Sequence, residues 1–415
     1  MSLHLDPHAD ITSPDVYVHG VPHAAFTRLR DEAPVSWWKE EGGAGFWALT
    51  RYHDIVTVGH DPRRFSSAKG IRLEEMAADE LQARTTLMEM DPPEHTTLRR
   101  LVQPPFSTRE MASCEEALRL MARTLVDDLH AMTTFDVVDT LARQLPMRML
   151  GRLLGVPDAD GPWLVRTGDA LIGNTDPEFT DTPVGLTNTD PYRLLPFRSP
   201  ASLALFRYAD EQAKARRVQP RDDVVSRLLQ PTRDGRPLSD DEFKNFFTLL
   251  VAAGNDTTRY TIVDGLLALI ERPESLQRLR DQPELLDDAV EEMLRWGSVT
   301  MHFRRTATVD TEIGGVRIKA GDKVVMWYVS GNYDDREFDR PYTFDVARRP
   351  NRHMAFGLKS PHKCLGEHLA RLEIKVLWQE LLPRLAHIEL AGPPERLRSN
   401  FISGIKHLPV RVVWV

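Results

Sequence analysis

Phe356-Gly357-Leu358-Lys359-Ser360-Pro361-His362-Lys363-Cys364-Leu365-Gly366 is a turn-rich loop that opens onto an apolar-periodic helix from about Gly366 to Leu382, where Pro383 stops it. It carries one of only two cysteines in 415 residues, the other being Cys114. A cysteine at a helix start has its thiolate stabilised by free backbone N–H groups and the helix dipole, and the basic neighbours push the same way. On the residues alone three readings stand. A buried structural cysteine is what most lone cysteines are. A zinc site would draw on His362, Cys364 and His368, yet structural zinc wants four ligands, usually with paired cysteines, and there is no such pair. The third is a haem iron held by one thiolate, which donates electron density and favours O–O cleavage.

Upstream lies the clearest element in the chain. Ser239 and Glu242 make a capping box, and apolar periodicity then runs to Ile270 before Pro273. That predicts a helix of about 30 residues, roughly 45 Å long. Midway, Ala253-Gly254-Asn255-Asp256-Thr257-Thr258 interrupts the apolar text. A mid-helix glycine costs about 1 kcal/mol and a buried unpaired aspartate more. With apolar residues on both sides, the patch reads as a local opening of the helix beside a ligand, with an acid and an alcohol placed to move protons. Two further stretches are weak alone. Glu292-Met293-Leu294-Arg295 puts opposite charges at i and i+3. Asp91-Pro92-Pro93-Glu94-His95-Thr96-Thr97-Leu98-Arg99-Arg100 reads as an ordinary helix start with a basic face.

Elsewhere the text predicts a short helix at Ala24–Arg30 and strands at Val35–Trp38 and Phe46–Leu49, giving a β-richer part at about 20–65. Helical spacing follows over about 94–170. Prolines 177, 183, 191, 196 and 200 exclude a long helix over 176–200, and that stretch is expected to have few backbone ties and to form part of a mobile lid. A helix from about Pro283 to Trp296 stops at Gly297, and β segments follow at Thr311–Ile318, around a Gly314-Gly315 turn, and at Lys323–Tyr328. A strand pair closes the chain. The expected class is mainly α with a small β portion: a single catalytic domain over 1–415, its helical core at about 90–300 and 350–390. The net charge of −8 draws in neither nucleic acid nor an anionic membrane surface. No run reaches the roughly 18 apolar residues of a membrane span. The N-terminal text, MSLHLDPHADITSPD, lacks a basic start followed by an apolar stretch, so a cytoplasmic location is expected.

Four motifs taken together resemble the cytochrome P450 family, in order from residue 91 to 366, and the likeness runs from about residue 20 onward. In the loop, Phe356, Gly357, Cys364 and Gly366 match the family's cysteine loop, although Lys359-Ser360-Pro361 replaces glycines. Ala253–Thr258 matches its Ala-Gly-x-Asp/Glu-Thr-Thr signature. The resemblance implies the P450 fold, with haem b between the long central helix and the C-terminal cysteine-loop helix, and Cys364 as the axial ligand of the iron. It implies that Thr257 steadies the activated dioxygen, that Asp256 relays protons towards it and that Gly254 leaves dioxygen room. His95, Arg99, Arg305 and His362 fall where the family binds the haem propionates. Glu292, Arg295 and Arg348 fall on a buried cluster that holds the cysteine loop.

By the same resemblance the chain is an O2-dependent monooxygenase that hydroxylates a hydrophobic small molecule, a terpenoid, steroid or branched lipid. Ile71, Leu87, Met88, Leu250, Ala253, Val299, Phe401 and Ile402 would line its pocket. No flavin or iron–sulfur domain is fused here, so electrons are expected from a separate ferredoxin and ferredoxin reductase, docked on Arg100, Lys359, Lys363, Arg349 and Arg352. A peroxide-driven peroxygenase and a non-enzymatic haem sensor or carrier are the alternatives. Asp256-Thr257 speaks against the first, because an O2-dependent enzyme is the one that needs the relay.

Overall fold

A computed structural model describes residues 6–40, 42–231, 235–357 and 360–415, so Lys359 of the expected basic face and the first five residues of the N-terminal text lie outside the described residues. After α1 (His23–Glu32), β1 (Val35–Trp38) and β2 (Phe46–Leu49) pair antiparallel, with Val35 opposite Leu49. β3 (Phe65–Ser66) and the helices α2 (Glu94–Val102) and α3 (Thr108–Leu129) come next. β4 (Thr134–Asp136) precedes α4 (Gln144–Leu154), α5 (Gly161–Ile172) and α6 (Ala201–Val218).

α7 (Asp240–Ile270) starts at the Ser239/Glu242 capping box and ends where the periodicity ends. It packs against α4, α5, α6 and the later α8 (Leu286–Gly297). One apolar cluster takes its N-terminal half, up to Ala252, and Tyr260 with α4 to α6; another takes Ile262 onward with α3, α8 and the last long helix, α9 (Glu367–Leu381). The polar interruption Ala253–Thr258 sits at the junction of the two. Between Phe243 and Leu269, Ala253 is the one residue of α7 with an exposed side chain.

β5 (His302–Ala307), the hairpin of β6 (Thr311–Ile313) and β7 (Val316–Ile318), and β8 (Lys323–Trp327) follow α8. The main sheet has the order β1-β2-β8-β5-β3, with β2 and β8 parallel (Phe46 opposite Lys323) and its other pairs antiparallel. β9 (Leu385–Leu390), β10 (Glu395–Arg396), β11 (Ile405–His407) and β12 (Pro409–Trp414) complete the chain. β9 and β12 are the expected closing pair, and β4 joins them from far upstream, with Phe135 opposite Val410.

One expectation changes. α8 stops at Gly297 as expected, and Ser298 (φ 43°) caps it, its hydroxyl donating to the Arg295 carbonyl at 2.6 Å. The stretch 176–200 indeed lacks a long helix, but it is well tied. Val184 N–H donates to Asn174 O at 2.8 Å, and Thr187, Tyr192, Arg193, Leu195 and Arg198 each close a turn. Its prolines fall where no N–H is needed, so the backbone still satisfies itself through short turns.

Glu292 is completely buried and accepts from Arg295 Nε and Nη2, both at 2.8 Å, and from Arg348 Nε at 3.0 Å. Arg295 goes on to the carbonyls of Asn332 and Pro341, and Arg348 to those of Asp339 and Thr343. Glu292→Gln should therefore lower the unfolding free energy by about 3–5 kcal/mol, the cost of leaving buried guanidiniums uncompensated. Arg317→Ala, which breaks the exposed pair with Asp310, should cost under about 1 kcal/mol. Urea midpoints of the two variants, at equal slope, check the contrast.

Candidate active site

Cys364 is placed by the loop that precedes α9. Its N–H donates to the Phe356 carbonyl at 2.8 Å, closing the loop, and Gly357 supplies the left-handed residue (φ 71°) that turns the chain. The side chain has accessible surface and yet lies deep among protein atoms, because that surface faces a cavity and not bulk water. Burial pushes the thiol up, while the Gly366 N–H and then Arg99 pull it back. The depressed thiol expected from the helix start is thus not found in the free chain: desolvation outweighs the dipole, and a bound metal cation would be the group that makes the thiolate favourable. Among the described residues His362, Cys364 and His368 do not converge as a metal cluster, and His368 is exposed.

The cavity runs from the cysteine loop to α7. Cys364, Phe356, His362, His95, Arg99, Arg305, Gly254 and Thr257 line it, as do all eight apolar positions expected on the pocket wall. His95 comes from α2, Arg305 from β5 and His362 from the loop; the two histidine rings lie 4.3 Å apart. Their surroundings are cationic. Burial lowers His95 to about 4, with Arg99 adding to it, and burial then Arg305 lower His362 further still. Among the described residues both ring nitrogens of His95 are buried without a hydrogen-bond partner, and the one side-chain hydrogen bond of Arg305 goes to the Arg304 carbonyl at 2.8 Å. Arg99 forms no ion pair among the described residues. Donors and positive charge are gathered here without an acid to meet them, a set that suits the two propionates of a haem whose iron Cys364 would hold.

α7 differs from expectation in three ways. The helix is continuous through 253–258, with no opening, and Thr257 Oγ1 donates to Ala253 O at 3.0 Å. The space beside Gly254 is taken by Leu150 of α4, whose Cδ2 would lie 3.0 Å from a Cβ there, so this glycine lets two helices approach. Asp256 does not line the cavity. It is completely buried, 3.0 Å from Arg259 Nη2, and Arg259 Nη1 in turn meets Asp169 of α5 at 2.6 Å. Burial pushes the Asp256 carboxyl up to about 7 against the pull of Arg259, and its Oδ2 has no partner.

Of the lining residues that escaped the sequence reading, two bear on the chemistry. Glu373 of α9 is 1 % exposed and raised to about 8 by burial, with Thr258 holding it back through a hydrogen bond. An acid amid the apolar positions of the last helix was the available signal. Arg72 is the other, and nothing local marks it. Of the basic face, Lys363 pairs with Glu367, Arg349 with Asp288 at 2.6 Å and Arg352 with Glu337 at 3.4 Å, while Arg100 is exposed.

Known proteins match this arrangement. The family model described as cytochrome P450 matches residues 198–407. The chain is 36 % identical to linalool 8-monooxygenase of Pseudomonas putida over 97 % of its length and 98 % of that protein. It is 38 % identical to the methyl-branched lipid omega-hydroxylase of Mycobacterium tuberculosis, over 94 % of this chain and 91 % of the relative. A Mycobacterium marinum cytochrome P450 solved in complex with pseudoionone superimposes with a TM-score of 0.89 at 36 % identity, covering 99 % of this chain and all of that one. No helix among the described residues is long and apolar enough to cross a membrane. A single cysteine loop facing a long helix across a cavity, matched nearly end to end by monooxygenases of this kind, makes the chain a member of the cytochrome P450 family, a monooxygenase whose cofactor is haem b.

Proposed function

We propose that the chain works as one catalytic unit that hydroxylates a hydrophobic small molecule of terpenoid, steroid or branched-lipid type. The observation that carries this is the cavity itself: a mostly apolar wall that includes Ala253, the exposed point of an otherwise buried helix, and that reaches Cys364. Bound haem supplies the redox chemistry, in which dioxygen, two electrons, two protons and a C–H bond yield an alcohol and water. The protein holds the iron through Cys364, meets the propionates with His95, Arg99, Arg305 and His362, and excludes water with the apolar wall. Electrons come from a separate ferredoxin and its reductase. Of the described cations of the expected docking face, Lys363, Arg349 and Arg352 are paired with acids, whereas Arg100 is exposed and forms no ion pair among the described residues.

Thr257 offers its hydroxyl at the cavity, and Asp256, one residue earlier, keeps a carboxyl near neutral pKa, suited to taking and giving protons. Arg259 and Asp169 tether that carboxyl behind the helix, so proton delivery requires the tether to loosen. Burial holds Glu373 as the neutral acid at pH 7, against the pull of Thr258.

The absorption spectrum of the reduced protein under carbon monoxide tests the reading directly. A strongly red-shifted Soret band is expected, lost in Cys364→Ala; a band that survives the substitution overturns it. Thr257→Ala should keep that band and keep consuming electrons, but divert most of them to hydrogen peroxide. Asp256→Asn should slow product formation on the order of 10²-fold. The ratio of product to reductant consumed separates the two effects. Glu373 gives a stability signature: between its ordinary value and about 8 the folded chain holds a proton that the unfolded chain has released, so this group's contribution becomes more unfavourable as pH rises. Glu373→Gln should raise Tm by several degrees at pH 8 and by much less at pH 5, which thermal unfolding at the two pH values checks.

A further inference from the structure

Outside the set assigned to the propionates, one cation of the cavity, Arg72, has no hydrogen bond or ion pair from its side chain among the described residues. The Arg72 guanidinium lies 4.4 Å from the centroids of both Phe197 and Phe401, and all three residues line the cavity. The neighbouring charges are spoken for. Arg84 meets Glu74 at 3.3 Å, Arg198 meets Glu80 at 2.7 Å, and Glu89 accepts from the Thr86 hydroxyl at 2.6 Å and the Thr86 N–H at 3.0 Å. Arg304 spends its guanidinium on the carbonyls of Lys69 and Glu74. Glu74 acts on Arg72 only through space, against the cost of burial.

The aromatic pair is held in place at a cost. Phe197 (φ 60°) and Arg198 (φ 48°) are consecutive left-handed residues with full side chains. The turn is fixed by Asn174 Nδ2 donating to Phe197 O at 2.6 Å and by the Arg198–Glu80 pair. Phe401 is fixed from the other end of the chain, its carbonyl accepting from Met301 N–H at 3.0 Å. Strain of this kind persists where surrounding contacts over-determine it, and it clusters at ligand clamps. A guanidinium packed on aromatic faces keeps its planar fork of N–H donors available in the ring-free direction, a match for a bidentate carboxylate.

We propose that Arg72 is the docking point for a carboxylate on the substrate, so that the preferred substrates are amphipathic carboxylic acids whose apolar body fills the cavity. This deepens the monooxygenase reading and rests on it. The anchor uses no member of the propionate set: the charges acting on Arg72 are Glu74, Arg84 and Glu89, of which Glu89 also acts on Arg305. It fixes the distance from carboxylate to oxidised carbon, and hence which carbon is presented.

The test uses the haem-loaded protein and three acids of different shape, dodecanoic, geranic and lithocholic, each beside its methyl ester. Affinity is read by equilibrium dialysis and, independently, by the spin-state shift of the haem. At least one acid should bind about tenfold or more tighter than its ester. Arg72→Gln should abolish that preference while leaving ester binding within about twofold, and Arg72→Lys should keep part of it. Acids that bind no better than their esters, that fail to bind at all, or that keep their preference in Arg72→Gln overturn the proposal. A missing cysteinate band under carbon monoxide would instead strike the haem reading, and dialysis would still decide the role of Arg72.

Discussion

The Glu292 carboxylate, shared by Arg295 and Arg348 with no contact with solvent, is the constraint from which the site's geometry follows. The chain from Asn332 to Asn351 has almost no helix or strand, so its carbonyls need partners from elsewhere. The two guanidiniums provide them at Asn332, Asp339, Pro341 and Thr343. Asn332 passes the order on, its side-chain oxygen accepting from Met354 N–H at 2.7 Å, two residues before the loop that carries Cys364. Desolvating three charges is expensive, and the return is a rigid irregular segment that no backbone ladder would give.

A second regularity concerns where charges close on one another and where they do not. Behind α7 the protein supplies both signs: Asp169, Arg259 and Asp256 form a chain of contacts at 2.6 and 3.0 Å, with Arg143 reaching Asp169 at 3.2 Å. The cavity wall carries Glu74, Glu89 and Glu373, yet Arg99, Arg305 and Arg72 form no ion pair among the described residues. A buried cation is costly unless paired, so these guanidiniums are best satisfied when a ligand brings the complementary anion.

Local order was legible from the sequence where it depended on neighbours in the chain. β1, β2 and α7 fall where periodicity and capping put them, because those signals act within a few residues. The wall positions, from Ile71 to Ile402, came through the family likeness and not through periodicity, which cannot tell a lined cavity from a packed core. What stayed hidden required contacts between distant segments. β5 reads His302-Phe303-Arg304-Arg305, too basic to look like a central strand, yet it is buried on nearly every residue because its arginines turn to the cavity and to loop carbonyls. Asp256 looked like a cavity acid because the Arg259 that holds it away is itself anchored by Asp169, 90 residues upstream on another helix. Gly254 looked like room for a ligand because nothing in the sequence announces Leu150 beside it.

Several departures from local preference share one surface. Gly254 and two threonines sit in mid-helix, Phe197 and Arg198 are left-handed, and Arg72 stands unpaired, and of these all but Arg198 line the same cavity. Each costs on the order of 1 kcal/mol or more. Others lie away from it, at left-handed Ser298 and Arg340 and at mid-helix Gly168 and Gly265. On the cavity wall they shape the space, with Leu150 closing it at Gly254 while Ala253, one residue earlier, leaves its own side open. That single-residue alternation sets how close a substrate can approach α7. The strained turn at Phe197 sets where its far end is gripped.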